Sequence, residues 1–252
     1  MTISPPPLPT AMVLVHGSWH GAWCWSRVLP LLRSAGADSH AVTLTGVGER
    51  AHLMAPTIDL HTHIQDVMGL IEAEELQRVV LVGHSYAGMV ITGVADRLQQ
   101  ERAGLLVHLV YLDAALPRPG DSWSSAHTED TRQARIAASQ SSGGLSFPPP
   151  DAALFGLTGD DRDWVNRRQT PQPFRLYQQP LQFDAARVDA LPRTFIDCTT
   201  PALPTIAPSR ERVRREPGWQ VIEMATGHDP MVSDPHGLAA HLMAIHRNAT
   251  AA

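Results

Sequence analysis

The chain has 252 residues, of which 43% are hydrophobic and 18% are charged, so one α/β domain could bury a sizeable core. Its formal net charge of −5 provides no basic footprint, which makes nucleic acid and anionic membranes poor candidate partners. All twenty positively charged residues are arginine, and the absence of lysine excludes Schiff-base chemistry.

The first ten residues contain four prolines and neither a cationic start nor a long apolar core, which argues against a signal peptide or a membrane span. We expect residues 1–10 to form a flexible leader. The two cysteines, Cys24 and Cys198, are too few for a disulfide scaffold, so a reduced, cytoplasmic protein is the simplest expectation. The sequence leaves open whether the protein forms a homodimer.

Apolar runs predict six strands, and apolar residues spaced three and four apart predict helices between them. The predicted strands are residues 11–15, 40–44, 79–82, 106–112, 193–198 and 219–224. The predicted helices are residues 25–35, 63–75, 89–102 and 235–246. This alternation favours an α/β fold with a mostly parallel, doubly wound sheet in a single domain of residues 1–252.

The third predicted strand ends in the sequence Gly-His-Ser-Tyr-Ala, which is typical of a nucleophile elbow around Ser85. A strand that turns sharply into a helix leaves little room beside the central serine, and Gly83 and Ala87 meet that steric demand. The following helix begins near Tyr86, so its free N–H groups and positive dipole end would face an oxyanion beside Ser85. The alternative is an ordinary serine in a turn.

Five segments, in this order, resemble the α/β-hydrolase superfamily, specifically the small esterases related to plant methylesterases and hydroxynitrile lyases. They are residues 16–25, 44–53, 83–88, 111–114 and 227–231. The resemblance implies a serine nucleophile, a histidine base, a cap over the pocket and no cofactor. It also implies an oxyanion hole built from the backbone N–H groups of Ser18 and Tyr86.

The alternation of strands and helices fails between about residues 117 and 192, where proline, serine and glycine are frequent. Only short helices are predicted there, at residues 130–139 and 160–169. Because caps enter the resembled family after the equivalent strand, we expect this insert to be a helical cap. The candidate substrate contacts are Ser18, His20 and Trp123, although aromatic residues of a small lobe can also form its own core.

A catalytic histidine is expected after the last strand, on a loop that returns to the elbow. His228 occupies such a position, four residues after Met224, in a Gly-His-Asp-Pro loop. His61 and His63 have no companion carboxylate or cysteine at ligand spacing, so we predict no metal site.

The acid of the triad is where this sequence departs from the plant members of the resembled group, which carry an aspartate just after the penultimate strand. Residues 199–204 hold no carboxylate at that place. Asp113 follows the strand after the elbow, at the edge of the sheet where active sites lie, and is the predicted acid. The competing candidate is Asp197, and the alternative role for Asp113 is that of a helix or loop cap.

These residues predict a serine hydrolase that cleaves a small carboxylic ester, carbamate, lactone or thioester through Ser85, His228 and Asp113 and an acyl-enzyme intermediate. The expected partner is a small ester-like molecule. Hydroxynitrile lyase activity is not expected, because the resembled lyases place a lysine beside the catalytic histidine and this chain has Asp229 there. The alternatives are a ligand receptor, a cofactor-free oxygenase or an enzyme of one specialised metabolite on the same scaffold.

Overall fold

A computed structural model describes residues 9–251, whose centre is a parallel sheet of six strands. These strands are β1 (Thr10–Val15), β2 (Asp38–Val42), β3 (Arg78–His84), β4 (Leu106–Leu112), β7 (Arg193–Cys198) and β8 (Trp219–Met224). Their order across the sheet is β2-β1-β3-β4-β7-β8. The chain adds β2 on one side of β1 and β3 and β4 on the other, so the connections after β1 and after β3 leave in opposite directions. This reversal opens a crevice at the carboxyl ends of β1 and β3.

The described residues form ten α-helices, some of which cover the two faces of this sheet. They are α1 (Leu29–Ser34), α2 (Leu60–Ala73), α3 (Ala87–Glu101), α4 (Glu129–Ser139), α5 (Gly159–Asn166), α6 (Arg175–Gln178), α7 (Ala185–Asp189), α8 (Ala207–Arg215), α9 (Pro230–Ser233) and α10 (Pro235–Ala251). Right-handed crossovers in opposite directions place α1 on one face and α2 and α3 on the other. Accordingly, α10 packs on α1, and α3 packs against α2 and α7. The predicted doubly wound α/β fold is confirmed.

The central strands are continuous apolar runs because both of their faces are buried. In β1 and β3, for example, Val13, Leu14, Leu81 and Val82 have no exposed surface. A strand without a solvent face is held rigidly along its length, so the residues that follow its carboxyl end start from fixed positions.

The ends of several helices differ from the sequence prediction. The helix predicted at residues 25–35 is shorter, because a 3₁₀ turn at Ala22–Trp25 precedes α1. Helix α2 begins earlier than predicted because the Asp59 carboxylate accepts a hydrogen bond from Thr62 N, and the Thr62 hydroxyl accepts one from Asp59 N. The predicted leader lies outside the described residues except for its last two, and Thr10 already belongs to β1.

The segment between β4 and β7 contains α4 to α7 and a short antiparallel pair, β5 (Ser146–Phe147) with β6 (Gln172–Pro173). The pair was not predicted, since two-residue strands carry no detectable alternation. We call residues 117–192 the insert. Within residues 9–251, none of the helices combines the length and the apolar character that crossing a bilayer requires.

Candidate active site

Ser85 lies in the sharp turn between β3 and α3 and has a left-handed backbone, with φ of 56°. This conformation costs a residue other than glycine about 1–3 kcal/mol, so surrounding contacts must hold it. Ser85 N donates to Leu112 O at 3.1 Å, and Ser85 O accepts from Ala115 N at 2.9 Å. The turn keeps Ser85 partly exposed at the carboxyl edge of the sheet while its neighbours in β3 are buried.

Close backbone packing around this turn requires glycine at two positions. A Cβ on Gly88 would lie 1.9 Å from Ala115 O, and a Cβ on Gly17 would lie 2.9 Å from Ser85 Cβ. Neither neighbour can move without disturbing the turn. The loop after β1 and the start of α3 therefore approach Ser85 from two sides.

His228 lies in the loop between β8 and α9 and bridges two of the predicted site residues. The Ser85 hydroxyl donates to His228 Nε2 at 2.9 Å, and His228 Nδ1 donates to Asp113 Oδ2 at 2.7 Å. Asp113 is fully buried and His228 is nearly so. The backbone also fixes the ring, because His228 N donates to Phe155 O at 2.9 Å.

The two candidate acids have different partners. Asp113 follows β4, and its second oxygen, Oδ1, accepts from Arg210 Nη2 at 2.6 Å. The Asp197 carboxylate accepts from Arg210 Nε and from Arg214 Nη2. The structure therefore brings Asp113 to His228 and directs Asp197 to two arginines.

The loop after β1 presents the backbone of Ser18. Across the described chain, neither Ser18 N nor Tyr86 N donates a hydrogen bond to another backbone or side-chain group. His16 holds this loop against the segment that follows β2, since His16 Nδ1 donates to Gly17 O at 2.7 Å and Nε2 accepts from Leu44 N at 3.0 Å. Burial lowers the pKa of His16 to about 3, so the ring is neutral and can serve as both donor and acceptor.

Trp19, the next residue, also has a left-handed backbone, with φ of 63°. Its N–H donates to Gln172 Oε1 at 2.9 Å, and its carbonyl accepts from Thr170 N at 2.9 Å. Both partners belong to the insert. The insert therefore holds the loop that carries Ser18.

A second buried carboxylate lies beside the predicted triad. His20 donates from Nδ1 to Ser18 O at 2.7 Å and from Nε2 to Asp229 Oδ2 at 3.2 Å. Burial lowers the pKa of His20, but the Asp229 charge outweighs this effect and the pKa is raised overall. Conversely, burial raises the pKa of Asp229, and the neighbouring His20 brings it down to about 2. The two groups form a buried ion pair.

This pairing bears on the prediction that His20 contacts the substrate. Both ring nitrogens of His20 bond within the protein, so neither is free for the predicted substrate contact. The neighbouring His84 donates from Nε2 to His228 O at 2.9 Å, and burial holds its pKa well below the ordinary value. Its ring packs behind His228, with the ring centroids 4.6 Å apart.

One group of side chains in the described residues has the spacing of metal ligands. Ligand atoms of His84, His228 and Asp229 lie within 4.8 Å of one another. Both ring nitrogens of His228 are already hydrogen-bonded, however, and a cation there would displace either Ser85 or Asp113. The donor arrangement fits proton transfer better than metal coordination.

Aromatic side chains cover the predicted site. The Trp123 ring lies 4.9 Å from the Tyr86 ring and 6.1 Å from the Trp19 ring, centroid to centroid. Phe155 lies 5.6 Å from the His228 ring. The Ser18 hydroxyl beneath them is buried and has no hydrogen-bond partner in the described structure. Ser18 and Trp123 therefore remain candidate substrate contacts.

Sequence reasoning missed the roles of Asp229, Gln172 and Arg210 around this site. Each of these residues acts across a long stretch of chain: Asp229 pairs with a histidine 209 residues away, and Gln172 binds Trp19 N across 153 residues. No local motif marks such partners. In the sequence analysis, Asp229 was named only because the resembled lyases have a lysine at its position. Its pairing with His20 became evident only from its burial in the structure.

A family model described as alpha/beta hydrolase family matches residues 12–241. The chain is 44% identical to a carbendazim hydrolyzing esterase from Nocardioides sp. (strain SG-4G), over 92% of this chain and 98% of that protein. It is 27% identical to methyl jasmonate esterase 1 from Vitis vinifera, over 92% and 95% of the two chains. An extracellular alpha/beta-hydrolase from a Paenibacillus species has the same fold, with a TM-score of 0.79 at 20% identity over 94% and 98% of the two chains.

Proposed function

The chain belongs to the alpha/beta hydrolase family and is a carboxylic ester hydrolase, and on this premise we propose that it cleaves small esters through Ser85, His228 and Asp113. One observation carries the assignment. The Ser85 hydroxyl, the His228 ring and the Asp113 carboxylate form a continuous hydrogen-bonded series with steps of 2.9 and 2.7 Å. A nucleophile, a base and a group that orients the base are the minimum for acyl transfer by a serine.

In the proposed first step, Ser85 Oγ attacks the acyl carbon as its proton moves to His228 Nε2. Asp113 keeps the other ring proton on Nδ1, which leaves Nε2 free to accept, and stabilises the imidazolium that forms. His228 then donates its proton to the departing alcohol oxygen.

The oxyanion of the tetrahedral intermediate would lie between Ser18 N and Tyr86 N. Support comes from the free N–H groups at both positions and from the N-terminus of α3, whose dipole favours negative charge there. In the second step, His228 takes a proton from water, the water oxygen attacks the acyl carbon, and Ser85 leaves with the proton restored.

The substrate class follows from the surroundings of Ser85 and from the relative at 44% identity. The aromatic residues over the site favour an ester with an apolar body, and the position of Ser85 among buried neighbours favours a small reacting group. We propose that small alkyl esters and methyl carbamates are accepted. Carbendazim is the first carbamate to test, because that relative is named for hydrolysing it.

Reaction with a small fluorophosphonate tests the nucleophile directly. We expect the native protein and the Ser141→Ala variant, which changes an exposed serine of the insert, to gain one adduct each in intact mass. The Ser85→Ala variant should gain none. In parallel, hydrolysis of a p-nitrophenyl acyl series should fall at least about 10⁴-fold in Ser85→Ala and stay unchanged in Ser141→Ala.

An unlabelled, inactive native protein would overturn the proposal. Binding of small molecules without turnover would then favour the receptor or oxygenase alternatives. Labelling that persists in Ser85→Ala would place the nucleophile elsewhere and would equally contradict the assignment.

A further inference from the structure

Arg135 of α4 reaches from the insert into a group of four aromatic rings. Its guanidinium carbon lies 5.0 Å from the Trp19 ring centroid, 5.1 Å from that of Trp123, 5.4 Å from that of Phe147 and 5.5 Å from that of Tyr177. We call these four residues the aromatic cage. A cation among ring faces is attracted by their quadrupoles, and this attraction offsets part of the cost of leaving water.

The cage does not satisfy the hydrogen-bonding capacity of the guanidinium. Arg135 Nε is buried without an acceptor, and burial lowers the pKa of the side chain while no carboxylate of the described chain raises it. By contrast, Arg132, one turn earlier in the same helix, pairs with Glu129 at 2.7 Å. A planar guanidinium carries five N–H donors, and ring faces accept hydrogen bonds poorly. Arg135 is therefore a cation with a vacant partner position.

The cage adjoins the proposed catalytic residues. Trp19 directly follows Ser18, and the Trp123 ring packs on the Tyr86 ring at 4.9 Å. The Trp19 ring also stacks on Phe155 at 6.3 Å, and Phe155 lies 5.6 Å from His228. Two of the cage residues thus contact or adjoin residues of the proposed oxyanion hole, so the cage lies next to the proposed catalytic residues.

We propose that Arg135 binds a carboxylate at the far end of the ester substrate, so that the preferred substrates are monoesters of dicarboxylic acids. The inference rests on the proposed ester hydrolysis. A carboxylate accepts two parallel N–H bonds from a guanidinium and balances its charge, whereas a neutral carbonyl would satisfy only one of the donors. The aromatic rings around the pair exclude water and strengthen it.

Binding without turnover tests the proposal separately from catalysis. In the Ser85→Ala background, the monomethyl esters of dicarboxylic acids from succinate to suberate are titrated against the corresponding dimethyl esters, with tryptophan fluorescence as the signal. The chain length that binds most tightly reports the distance between the two subsites. At that length we expect the half-ester to bind about tenfold or more tightly than the diester, because charge-assisted hydrogen bonds are the strong ones.

The variant Arg135→Gln in the same background should abolish this preference, and Arg135→Lys should keep part of it, since lysine retains the charge without the planar fork. Arg247→Gln is the matched control: Arg247 is exposed and lies on α10, which packs on α1 and β1, so the preference should be unchanged. Equal binding of half-ester and diester, or a preference that survives Arg135→Gln, would overturn the proposal.

The active protein provides the second readout. The ratio of kcat/KM for half-ester to that for diester should fall about tenfold or more in Arg135→Gln, mainly through KM, because the interaction is made with the ground state as well as the transition state. Activity on both esters without a preference would contradict the carboxylate subsite and leave ester hydrolysis intact. Preferred binding of the half-ester with no hydrolysis of either ester would support the carboxylate subsite and contradict ester hydrolysis.

Discussion

Buried charged side chains have different partners at the carboxyl edge of the sheet and in the aromatic cage of the insert. At the sheet edge, the buried Asp113 is shared between His228 and Arg210, and the buried Asp229 pairs with His20. In the insert, the cation of Arg135 meets only ring faces. A charged side chain whose hydrogen-bond partners all lie within the protein keeps one position. A charged side chain without such a partner is able to bind a ligand. We propose that the sheet edge carries the chemistry and that the insert selects the substrate.

Strained backbone is found at the carboxyl edge of the sheet. Ser85, Asp113 and Trp19 all have a left-handed backbone, and each follows the carboxyl end of a strand or its connecting loop. Strained positions of this kind persist only where rigid neighbours determine them. The parallel strands provide that rigidity, so Ser85 and Asp113 keep fixed positions at the carboxyl edge of the sheet.

The largest expected effect comes from replacing, one at a time, the two aspartates beside Arg210. The two variants test whether one of these carboxylates acts in catalysis while the other only supports the structure. Asp113→Asn should lower kcat about 10⁴-fold, because an amide no longer selects the ring tautomer with the proton on Nδ1. Asp197→Asn should leave kcat within about tenfold, since Asp197 bonds to Arg210 and Arg214 and not to His228. Steady-state kinetics on a p-nitrophenyl ester measures both.

Circular dichroism and thermal unfolding of both variants control for misfolding. If Asp197→Asn loses as much kcat as Asp113→Asn while remaining folded, the acid assignment is wrong or the two carboxylates act as one unit through Arg210.

The next effect concerns the buried pair of His20 and Asp229. Replacing His20 with glutamine leaves the Asp229 charge buried without its cationic partner, which typically costs about 3–5 kcal/mol of unfolding free energy. Urea denaturation of the native protein and of His20→Gln measures the loss, with the exposed His236→Gln as the matched control.

The loss should depend on pH. The pKa of His20 is raised above 6.5, so its contribution is complete below that pH and declines as the pH rises through the raised value. The pKa of Asp229 is lowered from 3.8 to about 2, so its contribution is present above 3.8 and is lost as the pH falls toward 2. The difference between native protein and variant should therefore be larger at about pH 5.5 than at about pH 9, and an equal difference would refute the ion pair.

The smallest expected effect comes from replacing Gln172, and it tests whether the insert positions the proposed oxyanion donor Ser18 N. Gln172→Met removes the acceptor for Trp19 N with little change in volume, which should loosen the loop that carries Ser18 N. We expect kcat to fall about tenfold with little change in KM, because an oxyanion donor acts mainly in the transition state. Gln172→Glu keeps an oxygen acceptor and should recover part of kcat. A change confined to KM would instead assign Gln172 to substrate binding.

The fold could be predicted from the sequence almost completely, because strand and helix periodicities are local. The turn at Ser85 was predicted from the small residues that a tight turn demands, and His228 was predicted from its position after the last strand. The starts of α1 and α2 and the two-residue strands of the insert were missed, because side-chain capping and short pairings leave weak periodic signals.

The sequence by itself determined the type and order of the elements and narrowed the acid to Asp113 or Asp197. Only the tertiary structure decided which of them meets His228, and it also revealed the buried pair of His20 and Asp229 and the unpartnered Arg135. The reason is physical: steric and periodic rules act over about ten residues. The contacts of the site join residues 115 and 143 positions apart, and their meeting depends on how the parallel strands are ordered and aligned in the sheet.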